Sequence, residues 1–296
     1  MRTTTTAPAH RESAPAARTD AAPAFAILRA TVTAVRKPAP DMVRLTLGGE
    51  ELAWMTNGGL DQRIKLLFPR SGQDEPVLPA DRGYPALRLM PEEQRPHVRT
   101  YTVRAHRPQQ REFDVDVVLH GDAGPGSSFA RYARPGDRLA VFVPHVDHPH
   151  PERLSGVEFR TERVVDDVVL VGDETALPAM ASILDEVPAD VRVRALVEVP
   201  EVVDTHYLRS GVSGEIRWLA RGDRPRGEVL LREVRALDLA DPYVWIAGES
   251  RTVTSVRRTL VDEFGVDRRR ITFLGYWRCG ATEDAARANP AIATHA

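Results

Sequence analysis

The chain has 296 residues and 42% hydrophobic content, a size that favours two domains over one. A net charge of −2 excludes a global pull toward nucleic acid or anionic lipid, and no apolar run approaches the ~18 residues of a membrane span. Cys279 is the only cysteine, which excludes an intramolecular disulfide or a multi-cysteine metal or iron–sulfur site and fits a reducing, cytoplasmic setting. Residues 1–24 are rich in Ala, Thr, Pro and Arg and lack an apolar signal core, so a disordered tail is expected. Short alternating segments follow at 25–36, 41–49, 62–69, 98–104, 112–120 and 137–144. With turns and no long helix between them, they predict a small antiparallel barrel domain over 25–150. The polar, Pro-rich stretch 71–97 reads as a surface excursion.

Residues 145–165 form a polar bridge whose second part, 151–165, is the expected linker. His145, His148 and His150 lie in or beside it; without a partner set of carboxylates they read as exposed positions, and no metal site is expected. From 166 the rhythm changes. Strands at 166–172, 191–199, 215–220, 243–248 and 271–277 alternate with helical patterns at 175–186, 227–237 and 250–264. That order predicts an open parallel-sheet α/β domain over 166–280, followed by a C-terminal tail, 281–296.

Five stretches could carry chemistry. In RTYTVR (99–104), alternation puts Arg99, Tyr101 and Val103 on one face and Thr100, Thr102 and Arg104 on the other. A cation and an aromatic ring on one side suit a flat ligand that also carries phosphate. In HGDAGPGSSFARYA (120–133), a Gly-rich turn leads into a short helix over 127–133, whose free amides would favour an anion; an ordinary turn with a serine cap is the alternative. VGDETALPAMASIL (171–184) follows the first strand of the α/β domain, where such sheets bind ligands. It lacks the glycine-rich dinucleotide fingerprint, and Thr175 is the expected helix cap. IAGES (246–250) is a second small-residue turn after a strand, and GYWRCG (275–280) ends the last strand. Of the basic residues only Lys37 and Lys65 are lysines, which GC-rich coding explains as well as any anion site does.

As an ordered set, RTYTVR, VLHGDAGPGSSFA, LVGDETALPA, WIAGES and GYWRCG resemble the siderophore-interacting proteins, flavin-dependent ferric-siderophore reductases of the ferredoxin-reductase-like fold. The resemblance spans about 25–280. It implies FAD, with Arg99 on a flavin phosphate, Tyr101 against the isoalloxazine, Thr102 reaching toward N5 and Val103 beside them. It implies His120, Gly124, Ser127 and Ser128 around the pyrophosphate and ribityl region. Gly172, Asp173, Glu174, Thr175, Ala247, Gly248 and Glu249 would hold NADPH or NADH, with Tyr276 and Trp277 at the same edge and Arg221 a candidate for a nucleotide phosphate. The implied reaction takes a hydride from NAD(P)H and passes single electrons to Fe(III) in a ferric siderophore. Lys65 and then Arg278 are the candidates to hold the chelate beside Thr102. Two departures from the family pattern fall where a chelate would be held: Ser128–Phe129 replace a basic residue and Trp, and the segment after Gly280 is acidic and then bland. A general NAD(P)H:flavin or ferredoxin-type reductase and a non-catalytic flavin- or siderophore-binding protein are the competing readings. A monomer with no nucleic-acid or membrane partner is expected.

Overall fold

The computed structural model describes residues 24–119, 124–148, 155–164, 166–202, 206–208 and 214–280; the expected tails and His120 and His150 lie outside them. Six antiparallel strands close a barrel: β1 (Phe25–Ala39), β2 (Met42–Gly48), β3 (Arg63–Phe68), β4 (His97–Arg107), β5 (Glu112–Val118) and β6 (Arg138–Pro144), in the order β1-β2-β5-β4-β3-β6. Period-2 patterning builds it. Val43, Leu45 and Leu47 of β2, Phe113, Val115 and Val117 of β5, and Val141 and Val143 of β6 all enter one buried cluster. The excursion holds a helix the sequence reading did not find, α1 (Tyr84–Leu89). Its six residues are too few to show a 3.6 period, and Leu87 alone of them is buried, against Ile27, Leu67, Val98 and Ala140 on the outside of the barrel. A further helix, α2 (Pro125–Tyr132), covers one mouth.

The second domain is a parallel sheet of β7 (Asp167–Asp173), β8 (Arg192–Val199), β9 (Gly214–Ala220), β10 (Tyr243–Glu249) and β11 (Ile271–Trp277), ordered β11-β10-β7-β8-β9. Its strands are apolar on both sides because both sides are covered. Val169, Val171, Val244 and Ile246 pack with α4 (Glu228–Arg235) and α5 (Ser250–Asp262). Val168, Leu170, Trp245 and Ala247 face α3 (Leu177–Glu186), together with Met42 and Leu60 of the barrel domain and Phe159 of the bridge.

Helix α3 is thus the element shared by the two domains. Ser182 Oγ donates to the Val103 carbonyl at 3.4 Å, Arg104 pairs with Asp185 at 2.8 Å, and the Leu60 amide donates to Glu186 at 2.6 Å. A register shift in β4 between Val103 and Ala105 leaves Val103 in the barrel core while Arg104 reaches this helix. The deepest tie is Asp61, fully buried. It accepts from the amides of Glu158 and Phe159, each at 2.9 Å, and from Trp245 Nε1 at 3.0 Å. Among the described residues no helix is long and apolar enough to cross a membrane.

Candidate functional site

Strand β4 brings the RTYTVR side chains to a single place. Against β3, Arg99 lies opposite Leu66, Thr100 opposite Lys65, Tyr101 opposite Ile64 and Thr102 opposite Arg63. The predicted alternation holds: Tyr101 packs on the barrel core with Val103, and Lys65 Nζ donates to Thr100 Oγ1 at 3.0 Å on the other face, over the Tyr84 ring at 5.8 Å. The Tyr101 ring meets Phe68 edge-on at 6.3 Å, and Phe68 meets Phe129 of α2 at 5.1 Å. Phe129, one of the two departures, is therefore a packing residue, while Ser128 beside it is exposed.

Helix α2 starts two residues earlier than the sequence suggests. Gly124, at φ +131°, is its cap residue and Pro125 the first helical position. No side chain caps it: Ser127 Oγ instead donates back to the Val118 carbonyl at 3.3 Å. Gly126 is required by contact, because a Cβ there would lie 2.1 Å from the Tyr101 hydroxyl. A Cβ at Gly124, by contrast, would have no neighbour within 4 Å. Tyr101 and the start of α2 therefore meet beside Gly124, where a Cβ would have no neighbour.

The second cluster stands at the carboxyl edge of the parallel sheet. Asp173, at the end of β7, accepts from Thr175 N at 2.9 Å, Glu249 N at 2.7 Å and Trp277 Nε1 at 2.9 Å. It knits three strand ends together and, rather than Thr175, is the cap of the following turn. Gly248, at φ +141°, fits because a Cβ would come 2.6 Å from Asp173 Oδ2, and Gly172 because one would come 2.6 Å from the Ala247 carbonyl. Glu249 caps α5 through Arg251 N and Thr252 N at 2.7 and 3.0 Å, and Glu198, at the end of β8, reaches Gly227 N at 2.9 Å and Leu230 N at 3.3 Å at the start of α4. Three helix starts at this edge thus already hold a carboxylate. Arginines stand among them. Arg226 lies 4.8 Å over the Trp277 ring and 3.4 Å from Glu174, and buried Arg221 lies 3.7 Å from Glu174 and 3.5 Å from Glu198. Burial, and then the charge of Asp173, raise the Glu174 pKa, with both arginines opposing them.

The two clusters meet at Tyr276. Its ring packs edge-on against Trp245 at 6.4 Å, and its hydroxyl is sealed from solvent facing Thr102, without a well-formed hydrogen bond. Burial holds that phenol well above its ordinary pKa. Arg278, half-buried, follows in the turn after β11, where the Cys279 amide donates to Glu249 at 3.3 Å. Thr102 and Tyr276 are therefore brought together where the domains meet, whereas Lys65 pairs with Thr100 over the Tyr84 ring. Arg226, Glu198 and Asp61 were missed in the sequence because their contacts span tens of residues or more. His145 and His148, expected as exposed, are half-buried against rings: His145 stacks on Trp54 at 5.6 Å, and His148 meets Phe25 edge-on at 5.8 Å.

Comparisons with known proteins agree with this layout. The family profile described as "Siderophore-interacting FAD-binding domain" matches residues 31–148, and that described as "Siderophore-interacting protein" matches 165–280. The crystal structure of the siderophore-interacting protein SipS from Aeromonas hydrophila is 32% identical, with a TM-score of 0.73 over 90% of this chain and 97% of that one. The ferric vibriobactin reductase ViuB of Vibrio cholerae is 28% identical over 83% of this chain and 87% of its own length. The NADPH-dependent ferric-chelate reductase of Escherichia coli is 29% identical over 83% and 91%. Matched along nearly the whole of both domains, the chain belongs to the siderophore-interacting protein family.

Proposed function

We propose that the protein is an FAD-dependent NAD(P)H oxidoreductase that reduces Fe(III) in ferric siderophores and releases Fe(II). What supports this reading most is the meeting of barrel and sheet at Tyr276, whose solvent-sealed hydroxyl faces Thr102. Arg99, Tyr101 and the start of α2 would hold FAD, and Gly124 leaves room for its pyrophosphate to approach the backbone. When bound, FAD links the two-electron chemistry of a nicotinamide to the one-electron chemistry of iron. The chain's own task is placement. Arg226 and Arg221 offer cations at an edge whose helix starts are filled by carboxylates, Tyr276 seals the junction from water, and Lys65 presents a positive charge two residues from the Thr102 register position. Fe(III) binds hard oxygen donors more tightly than Fe(II), so reduction loosens the metal without a protein ligand. The same reading is of a monomer in the cytoplasm, a reducing setting that the exposed free thiol of Cys279 fits.

The test is an absorbance spectrum of the purified protein, followed by anaerobic addition of NADPH or NADH and then of a ferric siderophore, with an Fe(II)-specific chromophore present. Yellow protein containing FAD, bleached by nucleotide and restored by chelate as Fe(II) appears, is the expected result. Colourless protein that gains no flavin on reconstitution overturns the reading. Bleaching by nucleotide without reoxidation by any ferric chelate assigns a different electron acceptor.

A further inference from the structure

Of the described non-glycine residues with positive φ, Leu60, at +51°, is the buried one. Gly59 before it is at +71°, so two left-handed residues stand in succession, a conformation that a leucine keeps only when its surroundings hold it there. Turns of this kind aim neighbouring amides to one side and suit an anion. The anion present is the side chain of Glu186, the last residue of α3. The Leu60 amide donates to Glu186 Oε1 at 2.6 Å, and a Cβ on Gly59 would collide with both carboxylate oxygens. On its other side the turn is closed by Gln62, whose amide donates to the Gly59 carbonyl at 3.0 Å and whose side chain accepts from the Gly58 amide at 3.3 Å. Between Leu60 and Gln62 stands Asp61, the buried acceptor of Trp245 Nε1. Trp245 in turn packs against Tyr276, whose hydroxyl faces Thr102. A cavity of about 410 Å³ opens beside the turn, lined in part by Asn57, Gly58, Gly59, Leu60 and Glu186.

We propose that the Gly59–Leu60 turn is a carboxylate-binding site filled from within the chain by Glu186, and that Glu186 thereby acts as a positioning residue for hydride transfer. It sets Asp61, and through it Trp245 and Tyr276, where barrel and sheet meet. The proposal deepens the function proposed above and rests on its nucleotide-to-flavin step. Glu186 is exposed, so water alone would satisfy its carboxylate, and the contact serves the turn. The Leu60 side chain enters the core cluster that holds Ile183 and Leu184 of α3. Burial of that side chain and the carboxylate on its amide together hold the strained backbone, and both come from the same end of one helix. Asp61, the next residue, has no freedom to find its donors unless this turn is set.

The experiment uses the FAD-loaded protein and its Glu186→Ala and Glu186→Gln variants, each with sodium acetate or with sodium chloride at equal ionic strength. Stopped flow reads flavin reduction by NAD(P)H, fluorescence titration reads FAD affinity, and heteronuclear NMR reads the Trp245 indole, assigned by its loss in Trp245→Phe. In Glu186→Ala, flavin reduction should slow roughly tenfold, short of the ~100-fold that a misplacement of about 1 Å can cause. FAD affinity should stay at the parent value, and the Trp245 signal should move. Acetate, which fits the space left by the truncated side chain, should restore most of the rate and return the signal, with no effect on the parent. Glu186→Gln keeps an acceptor for the Leu60 amide without the charge and should fall between. A parent-like rate in Glu186→Ala, or a loss that acetate relieves no better than chloride, overturns the proposal. If NAD(P)H fails to reduce the parent flavin, the proposed function falls, and the response of the Trp245 signal to acetate still decides whether this turn binds a carboxylate and sets that residue.

Discussion

At Gly126 a single hydrogen atom decides the shape of the candidate flavin cradle. Gly126→Ala would drive a methyl into the Tyr101 hydroxyl, and overpacking of this kind costs about 1–3 kcal/mol. The expected outcome is a lowered melting temperature together with weaker FAD retention on gel filtration, while Ser128→Ala, at an exposed position, stays within about 0.5 kcal/mol of the parent. Arg99 and Tyr101 separate charge from shape. A charge-assisted bond to phosphate contributes roughly 1.5–3 kcal/mol, so Arg99→Ala should weaken FAD binding ~10- to 150-fold, whereas Tyr101→Phe keeps the ring and should cost less. Fluorescence titration of apoprotein with FAD measures both, and equal affinities for the two variants and the parent would remove Arg99 from the site.

Among the elements, the β2–β5–β4 wall of the barrel carries a buried ionic ladder. Asp116, whose side chain is fully buried, takes two bonds from Arg44 at 2.7 Å, and the Tyr207 hydroxyl, beyond β8, donates to it as well. Asp114 accepts from Thr46 at 2.9 Å and from both ends of the Arg107 fork. Burial works against ionisation of Asp114, but the bonds from Arg107 and Thr46 and the nearby positive charges outweigh it and lower its pKa below the ordinary 3.8. A carboxyl lowered in the folded state contributes stability above its unfolded value, and that contribution is lost as pH falls through the folded one. The share due to Asp114 should therefore be present at neutral pH and begin to fall away below about pH 4. Urea unfolding of Asp114→Asn should show a loss of about 1–3 kcal/mol at pH 7 and a gap from the parent that narrows toward pH 3. A gap independent of pH would assign the effect to packing.

For the whole molecule, the relation between the domains rests on Asp61. Burial raises its pKa, with donors from Phe159, Trp245 and Glu158 opposing that rise. Trp245→Phe keeps the apolar stack under Tyr276 and removes one donor, leaving half of a buried carboxylate unsatisfied. The expected cost is about 1–3 kcal/mol. If Asp61 sets the domain relation, flavin reduction by NAD(P)H should slow in the variant while FAD affinity, a property of the barrel, stays near that of the parent. Stopped-flow reduction alongside FAD titration reads the two separately, and a parallel fall in both would mean that the barrel itself had been damaged.

What the sequence by itself determined is whatever depends on local period and turn chemistry. Alternation at 25–144 specifies six barrel strands, and apolar runs divided by helices specify the parallel sheet, because those periods reflect which faces are buried. Three of the ordered motifs are strand ends with their turns, at the ends of β7, β10 and β11, while RTYTVR lies within β4. Tertiary structure decided which polar groups are consumed. Thr175 reads as a helix cap, yet Asp173 takes that place because its carboxylate also binds the Glu249 amide and the Trp277 indole, from strands about 75 and 100 residues later. Arg226 gains its position only when β9 and β11 end at the same edge of the sheet, and Asp61 only when the bridge and β10 close over it. His145 reads as a linker residue until a backbone bridge to Met55 sets it against Trp54. Contacts of such sequence separation leave no periodic trace in the chain, because their partners are chosen by how strands distant in the chain, and in the case of Asp61 the two domains, come together.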